Sequence, residues 1–324
     1  MNLLILSSGT RNKIVQYFKK ELQGKGKVYT TDASNLAPSL YDSDEHFIVP
    51  RIDHPQYLET ILTICKENNV DGVLSLIDPE LSMLSENKKK FWEIGTTPIV
   101  SNHELIELCF DKYQFNEFLK ENNFNSIKSY IEKEKFYEDL SKKEINFPVF
   151  VKPVKGSASI NINKVTTKEE VEVLFDQFDN LMIQEFIDGT EIGADVYIDM
   201  LTNEVTSIFT KEKILMRAGE TDKSKSIKNE KLFNLIKKFV NIAGFKGIID
   251  IDIFEVDGTY YISEVNPRFG GGYPHAYEVG LNIPKQIINN LMGNKNKVDI
   301  GNYPENIFML KYNELKIISE SEMK

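Results

Sequence analysis

The stretch from Asp250 to Gly272 limits what this chain can fold into more than any other. It runs Asp-Ile-Asp-Ile-Phe-Glu-Val, then Asp257-Gly258, then Thr-Tyr-Tyr-Ile-Ser-Glu-Val-Asn, and closes on Pro267, Arg268, Phe269 and three consecutive glycines. Polar and apolar residues alternate with the period of two expected of a half-buried strand, and Asp-Gly is a strong hairpin signal. Strands are therefore expected from Gly247 to Phe254 and from Tyr260 to Val265. Glu264 and Asn266, two apart, share a face. A carboxylate and an amide oxygen there, with an aspartate on the partner strand, are oxygen ligands suited to Mg²⁺, which prefers a few protein oxygens plus substrate phosphates. The alternative is a solvated strand face, for which the abrupt Pro267, Arg268 and glycine run is a costly composition.

Register decides whether Asp252 joins that set. A two-residue Asp257-Gly258 turn pairs Val256 with Thr259 and turns Asp252 away from Glu264, because facing residues alternate sides along both strands. We expect a three-residue loop, Val256-Asp257-Gly258 with Gly258 left-handed, or an equivalent bulge that restores a common face.

A second candidate is Lys152-Pro153-Val154-Lys155-Gly156-Ser157-Ala158-Ser159, between two strand-like runs. Small side chains let backbone N–H groups approach an anion and the lysines supply charge, so the segment suits a phosphate-cradling loop; an ordinary polar hairpin is the other reading.

Upstream, Asn2 to Ser7, a helical pattern through Ile14, Val15, Phe18 and Leu22, the helix-like Tyr57 to Glu67 and the run Gly72 to Ile77 alternate strand with helix. They imply a small parallel α/β domain over residues 1–98, with Asp78-Pro79-Glu80 opening at a strand carboxyl end. Its first turn, Ser8-Gly9-Thr10-Arg11-Asn12, has one glycine where a dinucleotide fingerprint wants three. Ser101 with Glu104, and Asp111 with Gln114, are capping patterns for two helices. Beyond them short strands alternate with turns, interrupted by a helix with Leu232, Ile236, Phe239, Val240 and Ala243 on one face and Gly244 as its stop.

With 39 basic and 49 acidic residues the net charge is −10, so neither general nucleic-acid binding nor anionic membrane binding is expected. No run reaches the length of a membrane span, and the start runs into fold-like pattern, which favours the cytoplasm. Cys65 and Cys109 sit among apolar residues and read as buried thiols; the four histidines are scattered and do not suggest zinc.

The motifs VKPVKGSAS, QEFIDGTE and SEVNPRFGGG, in this order, resemble the ATP-grasp superfamily, in the branch around the carbamoyl-phosphate synthase large chain and its shorter stand-alone relatives. The resemblance spans about residues 1–295. It implies an α/β parallel-sheet (pre-ATP-grasp) domain over 1–98, a two-lobed α+β ATP-grasp fold with its small lobe at 99–183 and its large lobe with the metal site at 184–300, and a C-terminal segment at 301–324. It further implies that Lys112 and Lys152 contact nucleotide phosphates, that Gly156 to Ser159 closes over them, that Glu185, Phe186 and Ile187 receive adenine, and that Glu191 takes the ribose hydroxyls. Asp252, Glu264 and Asn266 would bind magnesium, or manganese in its place. Arg268 would face the γ-phosphate and the acyl phosphate, and Arg217 lies on a loop that in relatives reaches substrate or phosphate. The sequence departs from the common pattern at Ala158, where many members carry glycine, and at Asp252, where many carry Glu or Gln.

The activity so implied is an ADP-forming ligase that activates a small carboxylate as its acyl phosphate for attack by an amine or another nucleophile, with a homodimer through the first domain as the expected assembly. A carbamoyl-phosphate synthase-like half unit acting on bicarbonate or carbamate is an alternative; the full synthase is disfavoured because its large chain resembles two such units. A non-catalytic ATP-binding regulatory subunit is disfavoured because metal ligands and both arginines are present, and no HRD or DFG element supports a kinase. Lys155, Lys211, Lys213 and Glu80 read either as solvated polarity or as site groups, and His275 either as a pocket acid or base or as a structural group.

Overall fold

The computed structural model describes residues 1–156 and 162–323. The apolar runs of the first hundred residues form a parallel sheet of β1 (Leu3–Leu6), β2 (Val28–Asp32), β3 (Glu45–Ile48), β4 (Gly72–Ser75) and β5 (Thr97–Pro98), in the order β3-β2-β1-β4-β5. Helices α1 (Asn12–Leu22), α2 (Tyr57–Glu67), α3 (Asp78–Glu86) and α4 (Lys88–Glu93) connect them. Strands β1 and β4 are buried along their whole length, as sequence runs without alternation require.

Helix α5 (His103–Phe110) starts two residues later than its Ser101 signal suggests. Asn102 is the residue that accepts from the Leu105 N–H, while the Ser101 hydroxyl donates to the Lys246 carbonyl. Helix α6 (Lys112–Glu121) begins as expected, with Asp111 accepting from the Gln114 N–H.

The next layer contains β6 (Ser129–Tyr130), α7 (Lys133–Ser141), β7 (Val149–Pro153), β8 (Asn163–Val165), α8 (Lys168–Gln177) and β9 (Leu181–Glu185). Among the described residues its sheet has the order β6-β9-β7-β8, and it closes on a core of its own around Phe136, Ile145, Val149, Val151, Val171 and Ile183.

The large sheet is built from β10 (Thr190–Ile198), β11 (Val205–Arg217) and β12 (Glu220–Ile227), then, beyond α9 (Glu230–Ala243), from β13 (Gly247–Val256) and β14 (Thr259–Asn266). Helices α10 (Tyr273–Glu278) and α11 (Ile283–Leu291) follow, and β15 (Phe308–Leu310) pairs with the edge of β12. The C-terminal segment thus joins the large lobe instead of standing apart from it. The sequence suggests a strand only from Val205 to Thr210. The longer β11–β12 hairpin was hidden because its charged residues, which resemble a polar loop, line a cleft.

The first domain and the large lobe share one continuous core. Phe18 meets Phe269 edge-on at 6.0 Å, Tyr17 stacks on Tyr277 at 3.7 Å, and the Tyr17 hydroxyl donates to Glu278 at 2.8 Å. At the far end of β10, buried Asp199 holds the turn and the C-terminal region together. Its carboxylate accepts from the N–H groups of Leu201, Thr202 and Asn296 and from the side chains of Asn290 and Asn296, all at 2.8 to 3.0 Å.

Against the desolvation that opposes them, those donors hold the Asp199 pKa down at about 2, well below the usual carboxylate range. A depressed carboxylate pKa adds stability above its unfolded value and loses it as pH falls through the folded one, here about 2 kcal/mol. The urea-unfolding free energy of Asp199→Asn should therefore lie below the wild type at pH 5, and the gap should close towards pH 2. A gap independent of pH would contradict this.

Candidate functional site

A cleft of about 290 Å³ opens between the two lobes and the first domain. Its floor is one face of the large sheet. Asp252 is the register partner of Glu264, and Asp250 of Asn266, so all four oxygen-bearing side chains stand on one side of the β13–β14 hairpin. The means differ from the three-residue loop expected. Asp257 (φ 48°) and Gly258 (φ 76°) form a two-residue turn with both residues left-handed, and Val256 pairs with Thr259. The common face is restored by the alternative device, a bulge that leaves Ser263 without an opposite residue between the pairs Ile253–Ile262 and Asp252–Glu264.

Cations interleave with these acids. Lys213 on β11 binds Asp252 at 2.5 Å and Glu191 at 2.9 Å, and both attractions hold its charge firmly against desolvation. Lys211 and Asp195 form a fully buried ion pair behind it. Arg268 makes a two-point contact with Asp78 of the first domain, 2.9 Å on each side, donates to the Asn266 amide oxygen at 3.1 Å, and caps the Phe269 carbonyl at 3.1 Å. Burial raises Glu264 above the ordinary carboxylate range, partly offset by Lys112; burial and the charge of Asp252 raise Asp250.

From the small-lobe side, buried Lys152 on β7 donates to Gln184 at 2.7 Å. Desolvation lowers its pKa to about 8, with Glu264 opposing and Lys112 adding to the shift. Lys112, the first residue of α6, donates to the Gly156 carbonyl. Glu185 and Ile187 line the cleft wall, whereas the Phe186 ring packs 5.6 Å from Phe150 and lies under the Lys164 ammonium. Ser157 and Ser159 lie outside the described residues.

Arg217 is not brought to the cleft. Its side chain is 61% exposed and reaches Asp222 at 3.5 Å, while Met216, Ala218 and Gly219 line the cleft. The cause is a bulge at Ile214, which breaks the alternation set by Lys211 and Lys213 and puts Met216 on their face. His275 lies off the cleft lining: it is buried, shares a hydrogen bond with Ser224 at 2.8 Å, packs on Phe209, and is pushed down to about 4 by burial and Lys211. Glu80 is no loop polarity, since it is buried and accepts from Ser7 at 2.6 Å and from the hydroxyls of Tyr57 and Ser75. Lys155 remains on an exposed flank near Asp111.

Residues the sequence did not single out also line the cleft: Arg11, Gln184, Glu220 and Asp250. The Asp250-x-Asp252 spacing and the strand-end position of Arg11 were the available signals. Among the described residues no three His, Cys, Asp or Glu side chains converge on one metal position. The donors are two carboxylates and an amide, all oxygen, and the Glu264 carboxylate takes no hydrogen bond among the described residues. That set fits a hard divalent cation that shares its shell with phosphate and water.

The model of the PylC-like N-terminal domain matches residues 3–99, and the model of the ATP-grasp domain matches residues 109–272. The chain belongs to the ATP-grasp family. It is 27% identical to a carbamoyl-phosphate synthase of Methanobrevibacter smithii over 290 residues, 83% of this chain and 76% of that one. It is 25% identical to the carbamoyl phosphate synthase large chain of Clostridium acetobutylicum over 263 residues, 76% of this chain but only 24% of that one. The biotin carboxylase domain of the Hydrogenobacter thermophilus 2-oxoglutarate carboxylase superposes with a TM-score of 0.76 at 17% identity, over 95% of this chain and 73% of that one. No helix among the described residues is long and apolar enough to cross a membrane.

The Asp78–Arg268 pair is nearly buried, with side chains 10% and 12% exposed. Removing one member of such a pair strands the other charge and costs about 3–5 kcal/mol. Asp78→Ala should lower the unfolding free energy in urea by that amount, and a loss below about 1 kcal/mol would show that the guanidinium finds other support.

Proposed function

We propose that this ATP-grasp ligase converts ATP to ADP while activating a small carboxylate as its acyl phosphate, and passes the acyl group to an amine or another nucleophile. The observation that carries the reading is the facing of Asp252 with Glu264 and of Asp250 with Asn266 on one cleft floor, opposite Lys112 and Lys152. Phosphoryl transfer asks chiefly for positioning and for neutralisation of a polyanion, and this arrangement offers both.

In this reading Lys152 and Lys112 bind the nucleotide phosphates, Gly156 with Ser157 and Ser159 covers them, and Glu185, Phe186 and Ile187 receive adenine through backbone groups. Glu191, steadied by Lys213, takes the ribose hydroxyls. Asp252, Glu264 and Asn266 would hold magnesium, which when bound neutralises phosphate charge and orients the terminal phosphoryl group. Arg268, fixed by Asp78, faces that group and the acyl phosphate. Arg217 is turned outward on Asp222, although its neighbours Met216, Ala218 and Gly219 line the cleft, and it is given no role in this reading. The similarity to carbamoyl-phosphate synthases favours including bicarbonate among the acids tested.

Turnover should yield ADP and phosphate; AMP and pyrophosphate would mean adenylation and overturn the reading. Lys152→Met should weaken ATP binding in calorimetry by about 1.5–3 kcal/mol, the worth of a charge-assisted contact. Because the Lys152 pKa is lowered to about 8, wild-type affinity should fall as pH rises through that value, and the variant should lose this dependence. Unchanged affinity in the variant would remove Lys152 from the nucleotide site.

A further inference from the structure

One end of the cleft has no occupant in the roles above. In the order β3-β2-β1-β4-β5 the direction of chain progression reverses between β1 and β4. In open parallel sheets, ligands bind outside the strand carboxyl ends at such a reversal. Here the turn after β1 carries Arg11, the residues after β4 lead to Asp78, and both face the large lobe through Glu220 and Arg268.

Two of the acids at this end, Asp78 and Glu220, are already engaged. Both Asp78 oxygens accept from Arg268. One Glu220 oxygen pairs with Arg11 Nη2 at 2.8 Å and the other with Lys311 at 3.0 Å. What is left is the other end of the same guanidinium: Arg11 Nη1 is buried and has no hydrogen-bond partner among the described residues. A buried cationic donor without an acceptor is costly, and the nearby charge of Arg268 adds to the cost. The group is also held in place. A Cβ at Gly271 would stand 2.8 Å from the Glu220 carboxylate, so the backbone there packs directly on the acid that anchors Arg11.

We propose that Arg11 binds the carboxylate of the acyl substrate, in the crevice between the first domain and the large lobe. The assignment rests on the ligase reading and makes it more specific. Arg11 is placed beside Arg268, so a carboxylate held by Nη1 lies next to the arginine that faces the terminal phosphoryl group. One carboxylate oxygen forms the bond to that phosphorus while the bond from phosphorus to the ADP oxygen breaks; the products are acyl phosphate and ADP, and Arg11 forms no covalent bond. Arg11, Glu220, Thr221, Asp250 and Gly271 line this end of the cleft, so the substrate class is a small carboxylate with a polar remainder.

The test measures ADP release by the full chain with MgATP and, in turn, acetate, glycolate, glycine, succinate and bicarbonate, each with and without an amine acceptor. For the acid giving the highest rate, Arg11→Ala should raise its KM at least tenfold and leave the KM for ATP within twofold. Arg11→Lys, which keeps the charge and loses the fork, should recover part of the loss. Calorimetric binding of MgADP checks that each variant is folded, with Arg11→Gln in place of the alanine variant if that one is not. An unchanged KM for the acid, or an ATP KM that rises in step with it, overturns the assignment and leaves the ligase reading standing. A wild type that binds MgADP but responds to none of the acids overturns the ligase reading, and this assignment with it.

Discussion

The contact between Asp78 and Arg268 joins residues 190 positions apart, and the geometry of the cleft depends on it. The apolar contacts of Phe18 and Tyr17 with Phe269 and Tyr277 bring the first domain against the large lobe, but such packing is non-directional. The forked contact is directional. It fixes the guanidinium plane, and through Nη2 it fixes the Asn266 amide on the hairpin floor. A carboxylate from the first domain thus sets the position of groups on a strand of the large lobe.

The same floor shows how a mainly acidic surface can be built into a fold. Asp195, Asp250, Asp252, Glu191 and Glu264 would repel one another if they stood alone. Lys211 and Lys213, two apart on β11, are threaded between them, each bound to at least one acid. Among the described residues, two of these carboxylates are left without such a partner. Burial raises both Asp250 and Glu264, so this part of the floor is where an added positive charge would be most favourable.

Much of this was legible in the sequence because it is local. The Asp-Gly turn, the two-residue spacing of Glu264 and Asn266, and the stop at Gly244 each rest on chain geometry over a few residues, and Gly244 does take the left-handed conformation its position requires. The requirement that Asp252 share a face with Glu264 was legible too. The position of the irregularity that satisfies it was not, because a bulge at Ser263 costs little in any one residue's preferences and is settled by how the whole sheet packs. The same holds for Ile214, where a bulge reverses the facing of Arg217. Contacts such as Arg11 with Glu220 leave no local trace, since either residue alone is ordinary surface polarity.

The small lobe keeps its own core, around Phe136 and Val151, whereas the first domain and the large lobe share theirs. A further cluster, around Leu4, Ile61 and Leu84, packs on the other face of the first-domain sheet, so the small lobe is one packing unit and the first domain with the large lobe is the other. The smaller has fewer apolar contacts to lose, so its amides are expected to exchange with solvent through sub-global rather than global unfolding. A ligand gripped by Lys152 from one unit and by the β13–β14 floor from the other would tie the two units together, and the protection of the small lobe would become a direct measure of occupancy.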